Sequence, residues 1–151
     1  MIKQKVFHSN FKIMTKIPSF INSQARNKLV IHDKEVFGLE YLDVGRSLAN
    51  KIKSITSDTR LGMKSINLIE EIFSDAKKES DLYGRYLAIY NLGILFENDL
   101  KIDFIHLLTK YSFTETLFVK WEGEIEDGIL YFLTKEKGQK IDIKNLSHIV
   151  I

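Results

Sequence analysis

The densest acidic group of the 151-residue chain is Glu122, Glu124, Glu126 and Asp127. On an extended segment the three glutamates point to one side, where carboxylates hold Mg²⁺ or share a proton. Gly123 and the turn-forming Asp127-Gly128 fall in the same stretch and favour a solvated loop instead. His8, His32, His106 and His148 never stand three to five residues apart, so no zinc-binding pair is visible. The chain has no cysteine, which removes disulfides, thiolate metal sites and cysteine nucleophiles together and suits a reducing cytosol. A phosphate loop needs glycines whose amides close around the phosphates, then Lys and Ser/Thr. The nearest approach is Gly38 with Gly45-Arg46-Ser47, at the wrong spacing and with an extended segment between the glycines. There is no GxSxG elbow. The sequence therefore predicts no catalytic, cofactor-binding or metal-binding residue.

Binding chemistry is better represented. Net charge is only +2, but residues 1–53 hold ten Lys/Arg against four Asp/Glu, and residues 54–151 twelve against sixteen. Lys3, Lys5, Lys12, Lys16, Arg26 and Lys28, interleaved with Phe7, Phe11 and Phe20, are the residues of a nucleic-acid-binding surface, one of two readings of this basic third. The other is a solvated face or an amphipathic arm packed on a partner. Trp121, the single tryptophan, is either core or an interface anchor.

The elements that must position these residues read as one α/β unit. Residues 1–27 form a basic arm with a short helix from about Pro18 to Arg26, and 28–151 a single domain. KLVIH (28–32), part of 86–96, and TLFVKW (116–121) are apolar without alternation, as in strands covered on both faces. VFGL and YLDV read as extended pieces. Helices are expected over 45–55, 64–78 and 103–111, the last capped by Asp103, with TSDTRLG as a loop. Asp127-Gly128 before ILYFL signals a hairpin, and the tail holds at least one more extended segment. Strands alternating with helices predict a mainly parallel sheet flanked by helices, with a C-terminal antiparallel hairpin. No apolar run is long enough to span a bilayer, and the opening MIKQKVFHSNFKIMTK lacks the apolar stretch of a secretory signal, so a cytoplasmic location is expected.

The run YNLGILFENDLKIDFIHLLTKYSFTETLFVKWEGEIEDGILYF resembles BrxF, the small P-loop protein family of type 3 BREX phage-defence systems. Asn91, Leu95 and Phe96 match a D-N-x-E-x-L-F pattern that ends a strand; Asp103, Leu107 and Leu108 match a D-P-L-x-L-L helix, with Phe104 at the proline. Trp121, Gly123, Asp127 and Gly128 match W-x-G-x-x-x-D-G, and YLDVGRSLANKI (41–52) matches Y-L-N-V and its helix. The resemblance covers about residues 28–151.

The departures bear on function. Only nine residues separate Ile31 from Tyr41, where the family carries a glycine-rich phosphate loop and its helix. The family's Mg²⁺-binding acid falls at Tyr90, and the acid three places later at Gly93. The resemblance thus implies a degenerate P-loop NTPase-like fold without nucleotide chemistry. The expectation is a non-enzymatic adaptor subunit of an antiviral, phage-resistance complex, binding a large AAA-type ATPase or another defence protein. Its contact surface is expected at Trp121, Gly123, Glu124, Asp127 and Gly128. Self-association and DNA contact through the complex are compatible with it; the alternative is the nucleic-acid-binding module.

Overall fold

A computed structural model of the protein describes residues 15–53 and 61–151, Leu61 without its side chain. Residues 15–21 are helical (α1), and the chain loops through 22–27 before β1 (Lys28–His32). The helix expected from Pro18 to Arg26 therefore lies earlier in the chain. Then follow β2 (Tyr41–Asp43), α2 (Val44–Ile52), α3 (Leu61–Asp75), β3 (Lys78–Ser80), β4 (Gly84–Tyr90), α4 (Phe104–Thr114) and β5 (Thr116–Lys120). Two 3-10 turns, Gly93–Phe96 and Asn98–Leu100, link β4 to α4. The chain ends in β6 (Glu124–Glu126), β7 (Ile129–Tyr131), β8 (Lys140–Asp142) and β9 (His148–Val150).

Five parallel strands form the main sheet in the order β2-β4-β5-β1-β9, with β3 antiparallel on β4. The expected mainly parallel α/β architecture is present. The unalternating apolar runs have their cause here, because each strand sends successive side chains to two buried layers. Leu29, Ile31, Leu87, Ile89, Leu117 and Val119 enter the larger core, with Leu48, Phe73 and Leu108 from the helices α2, α3 and α4. Val30, Tyr86, Ala88 and Phe118 face the other way and pack on Ile17 of α1 and Val36.

Local signals explain the helix ends. Asp103 caps α4, its carboxylate accepting from the His106 N–H at 3.0 Å. Asp43 does the same for α2 from the Arg46 N–H at 2.9 Å. α3 runs Leu61–Asp75 rather than 64–78, since Lys78–Ser80 turns back along β4 as a strand absent from the sequence reading. Ile55 and residues 56–60 of the expected TSDTRLG loop lie outside the described residues.

β6, β7 and β8 form a separate antiparallel sheet. Its first turn is the predicted Asp127-Gly128 hairpin, with both residues at positive φ (50° and 76°), the requirement of a type I′ turn. Leu130 and Ile141 anchor this sheet to the larger core.

Candidate functional site

Ligands of open parallel sheets collect at the carboxyl ends of the strands, where neighbouring connections diverge. The connection from β1 runs past β5 and β4 to β2, whereas that from β5 runs past β1 to β9. They also leave on opposite faces: Val36 and Leu39 pack in the smaller core, Leu130 and Ile141 in the larger.

Eight residues, 33–40, make the whole passage from β1 to β2. Parallel strands ordinarily need a crossover of a dozen residues or more, commonly containing a helix. The short path suffices because β2 pairs only with the carboxyl end of β4, Tyr41 opposite Ala88. Three strand spacings are about 14 Å, and eight extended residues reach about 26 Å. VFGL, expected to be extended, is not a strand: Phe37 and Gly38 make a turn, with Gly38 at φ +82°. Three tyrosines fasten this segment. The Tyr41 hydroxyl accepts from the Val36 N–H (2.8 Å), Tyr86 accepts from the Glu40 N–H (3.0 Å), and Tyr83 donates to the Phe37 carbonyl (2.6 Å). Backbone amides that a phosphate loop would turn toward a ligand are here committed to side chains.

The end of β4 is equally occupied. Tyr90 donates to Asp43 Oδ2 (3.2 Å), and the Asn91 amide to Asp43 Oδ1 (2.8 Å). The Gly45 N–H donates to the Asn91 carbonyl at 2.9 Å, with Asn91 itself at φ +56°. A Cβ on Gly45 would lie 2.6 Å from the Asn91 side chain, so glycine here serves close packing rather than a ligand. The Arg46 N–H, followed by Asn91 and Tyr90, holds the Asp43 carboxyl below its ordinary 3.8 against the opposing effect of burial. A depressed folded-state value makes this contribution complete above the unfolded carboxyl value and progressively lost as pH falls through the folded one. Asp43→Ala is expected to lower stability by about 1–2 kcal/mol at neutral pH. The deficit, measured by urea denaturation, should shrink toward pH 3.

Between the ends of β4 and β5 lies a cavity of about 340 Å³, walled by Asn91, Lys120, Trp121, Gly123, Phe132 and Leu133 among others. Trp121 is 3% exposed and belongs to the core, the first of its two sequence readings. It stacks on Phe104 and meets Phe96 and Phe132 edge-on, and its indole N–H donates to the Glu124 carbonyl at 3.3 Å. Gly123 is fixed by close approach: a Cβ there would sit 2.0 Å from the Tyr131 carbonyl oxygen. A Cβ on Gly128 would meet Lys144 Cγ at 2.5 Å. Trp121, Gly123 and Gly128 thus have roles in building the hairpin, while Glu124 and Asp127 are exposed. Beside them Leu133, 63% exposed and at φ +76°, forms the lip of the cavity. Nothing in the sequence marked Leu133.

No family model, curated protein or solved structure matches the chain.

The remaining candidates disperse. Lys3, Lys5 and Lys12, with Phe7, Phe11 and His8, lie outside the described residues. Lys28 is turned inward on its own chain, donating to the Phe20 and Ser23 carbonyls (3.1 and 2.6 Å) and lying over the Phe20 ring. Arg26 lies over Phe113, and Lys16 donates to the Val150 carbonyl at 3.3 Å. Glu126 is paired with Lys135, and Glu122 lines the cavity apart from it. Among the described residues no three acidic or histidine side chains converge as metal ligands. No described helix is long and apolar enough to cross a membrane.

Proposed function

We propose that the chain is a non-catalytic adaptor subunit of a bacterial antiviral complex of the BREX type, built on a degenerate P-loop-like sheet and docking a large AAA-type ATPase. One observation carries the reading. The eight-residue passage from β1 to β2 is held to the sheet by the hydroxyls of Tyr41, Tyr83 and Tyr86, at the place where a strand–loop–helix unit would cradle phosphate. Tyr90, bound to Asp43, stands where the resemblance calls for a magnesium-binding acid. The contact surface is the rim of the β6–β7 hairpin: Glu124, Asp127 and Leu133 are exposed, and Trp121 and Gly123 support them from within.

The purified chain is expected to co-elute with a large AAA-type ATPase of a BREX-type system. Leu133→Gly, which suits the positive φ, should weaken that association without unfolding the protein. Calorimetric titration with ATP or GTP and Mg²⁺ should show no heat of tight binding. Magnesium-dependent nucleotide binding, or failure to associate with any component of the defence system, would refute the proposal.

A further inference from the structure

His32 ends β1 with 1% of its surface exposed, and its Nε2 has no hydrogen-bond partner among the described residues. Its other nitrogen, Nδ1, lies 2.6 Å from the Lys34 carbonyl, which can only accept. Nδ1 therefore carries the proton, and Nε2 is a bare acceptor in a neutral ring. Carbon faces surround it, with the Tyr41 ring of β2 at 6.0 Å and the Phe118 ring of β5 at 6.4 Å between centroids. The charges bearing on it are Asp33 on its own strand's exit and Lys120 of β5, whose ammonium is 3.9 Å from Glu35.

We propose that His32 is an acid-released latch: a second proton on its ring frees the β1–β2 passage, residues 33–40, from the sheet. A proton on Nε2 needs an acceptor; no described group bonds it, and of the charges that bear on the ring Asp33 attracts the added proton while Lys120 repels it. The imidazolium finds water only by rotating outward. That rotation gives up the bond to Lys34, the first fastening of the passage after β1. Burial lowers the ring below its ordinary 6.5 and Lys120 acts the same way, against the opposing effects of the Lys34 hydrogen bond and Asp33. The sign follows. A depressed histidine leaves stability intact above the unfolded value and removes it progressively below, as the unfolded or opened form takes up the proton first. Phe37, 78% exposed on this passage, would move with it.

The Val36 and Glu40 amides, bonded to tyrosine hydroxyls, report the opening. Their hydrogen-exchange protection factors, which correct for intrinsic pH dependence, should fall by up to roughly tenfold per pH unit as pH drops from the ordinary 6.5 toward the depressed value of the buried ring, and level off below it. Leu117 and Val119 in β5, which exchange only on global opening, should stay far better protected than both at every pH; the difference between high and low pH at Val36 and Glu40 is the signal. His32→Asn keeps a donor for Lys34 but cannot titrate, and should abolish the difference. Should that variant misfold, the wild-type ring decides by NMR, titrating below the ordinary 6.5. Unchanged protection at Val36 and Glu40, protection there as high as in β5, or a His32 ring titrating at or above the ordinary 6.5 would each overturn the proposal.

Discussion

Trp121→Ala is expected to remove about 3–5 kcal/mol of stability, a large share of the roughly 5–15 kcal/mol that a domain of this kind possesses. The side chain is 3% exposed and joins four parts of the chain. It stacks on Phe104 of α4 at 6.3 Å and meets Phe96 of the 3-10 turn at 6.1 Å. Phe132, after β7, lies at 6.5 Å, and the indole N–H fixes the start of β6 through Glu124. Alanine would leave a void at the junction of the two sheets, beside an existing cavity that adds little material to close it. Because this is the single tryptophan, far-UV circular dichroism in urea is the suitable probe. Trp121→Phe should recover part of the loss, forfeiting volume and one hydrogen bond. A near-normal midpoint combined with lost partner binding would make the residue an interface anchor instead.

Gly123→Ala should rank next, at about 3 kcal/mol, the upper end of ordinary overpacking. The added carbon would stand 2.0 Å from the Tyr131 carbonyl oxygen and 2.9 Å from Trp121 Nε1. Neither is the far end of a flexible side chain. Relief requires β6 to move from β7, where Glu124 pairs with Tyr131, or the indole to move from its stack. Gly84→Ala provides the control. Gly84 has φ +68° with nothing within 4 Å of the added carbon, so only backbone strain of about 1–2 kcal/mol applies. Equal midpoints for the two variants in urea would show that contact at Gly123 is not the cause.

The residues that announced themselves in sequence did so through local physics. Leu29-Val30-Ile31 and Leu117-Phe118-Val119 lack alternation because both faces of their strands are covered. Asp103 and Asp127-Gly128 act within three residues of themselves. VFGL misled because Val36 is buried under α1 while Phe37 is exposed in a turn, a division set by the hydroxyls of Tyr41, Tyr83 and Tyr86, the last two bonded to residues 46 positions away. β3 was missed since Lys78–Ser80 has no apolar signature and exists only by pairing with Gly84–Tyr86. The Asp43 cap of α2 acts within three residues, but its bonds to Tyr90 and Asn91, 47 and 48 residues on, carry no local signal. Trp121 stayed undecided for the same reason, as its neighbours Phe96, Phe104 and Phe132 lie in three separate elements or loops.

Among the described residues β1 is the earliest strand and β9 the latest, yet they lie side by side, Leu29 against His148 and Ile31 against Val150. On the ribosome, about 120 residues at roughly 5–20 residues per second separate the two, so β1 waits some 6–24 s for its second neighbour. During that interval Leu29-Val30-Ile31 presents a bare apolar edge, the kind of template on which nascent chains stick to one another. A holding chaperone at this strand would raise the yield of native protein more than one acting on the helical middle of the chain.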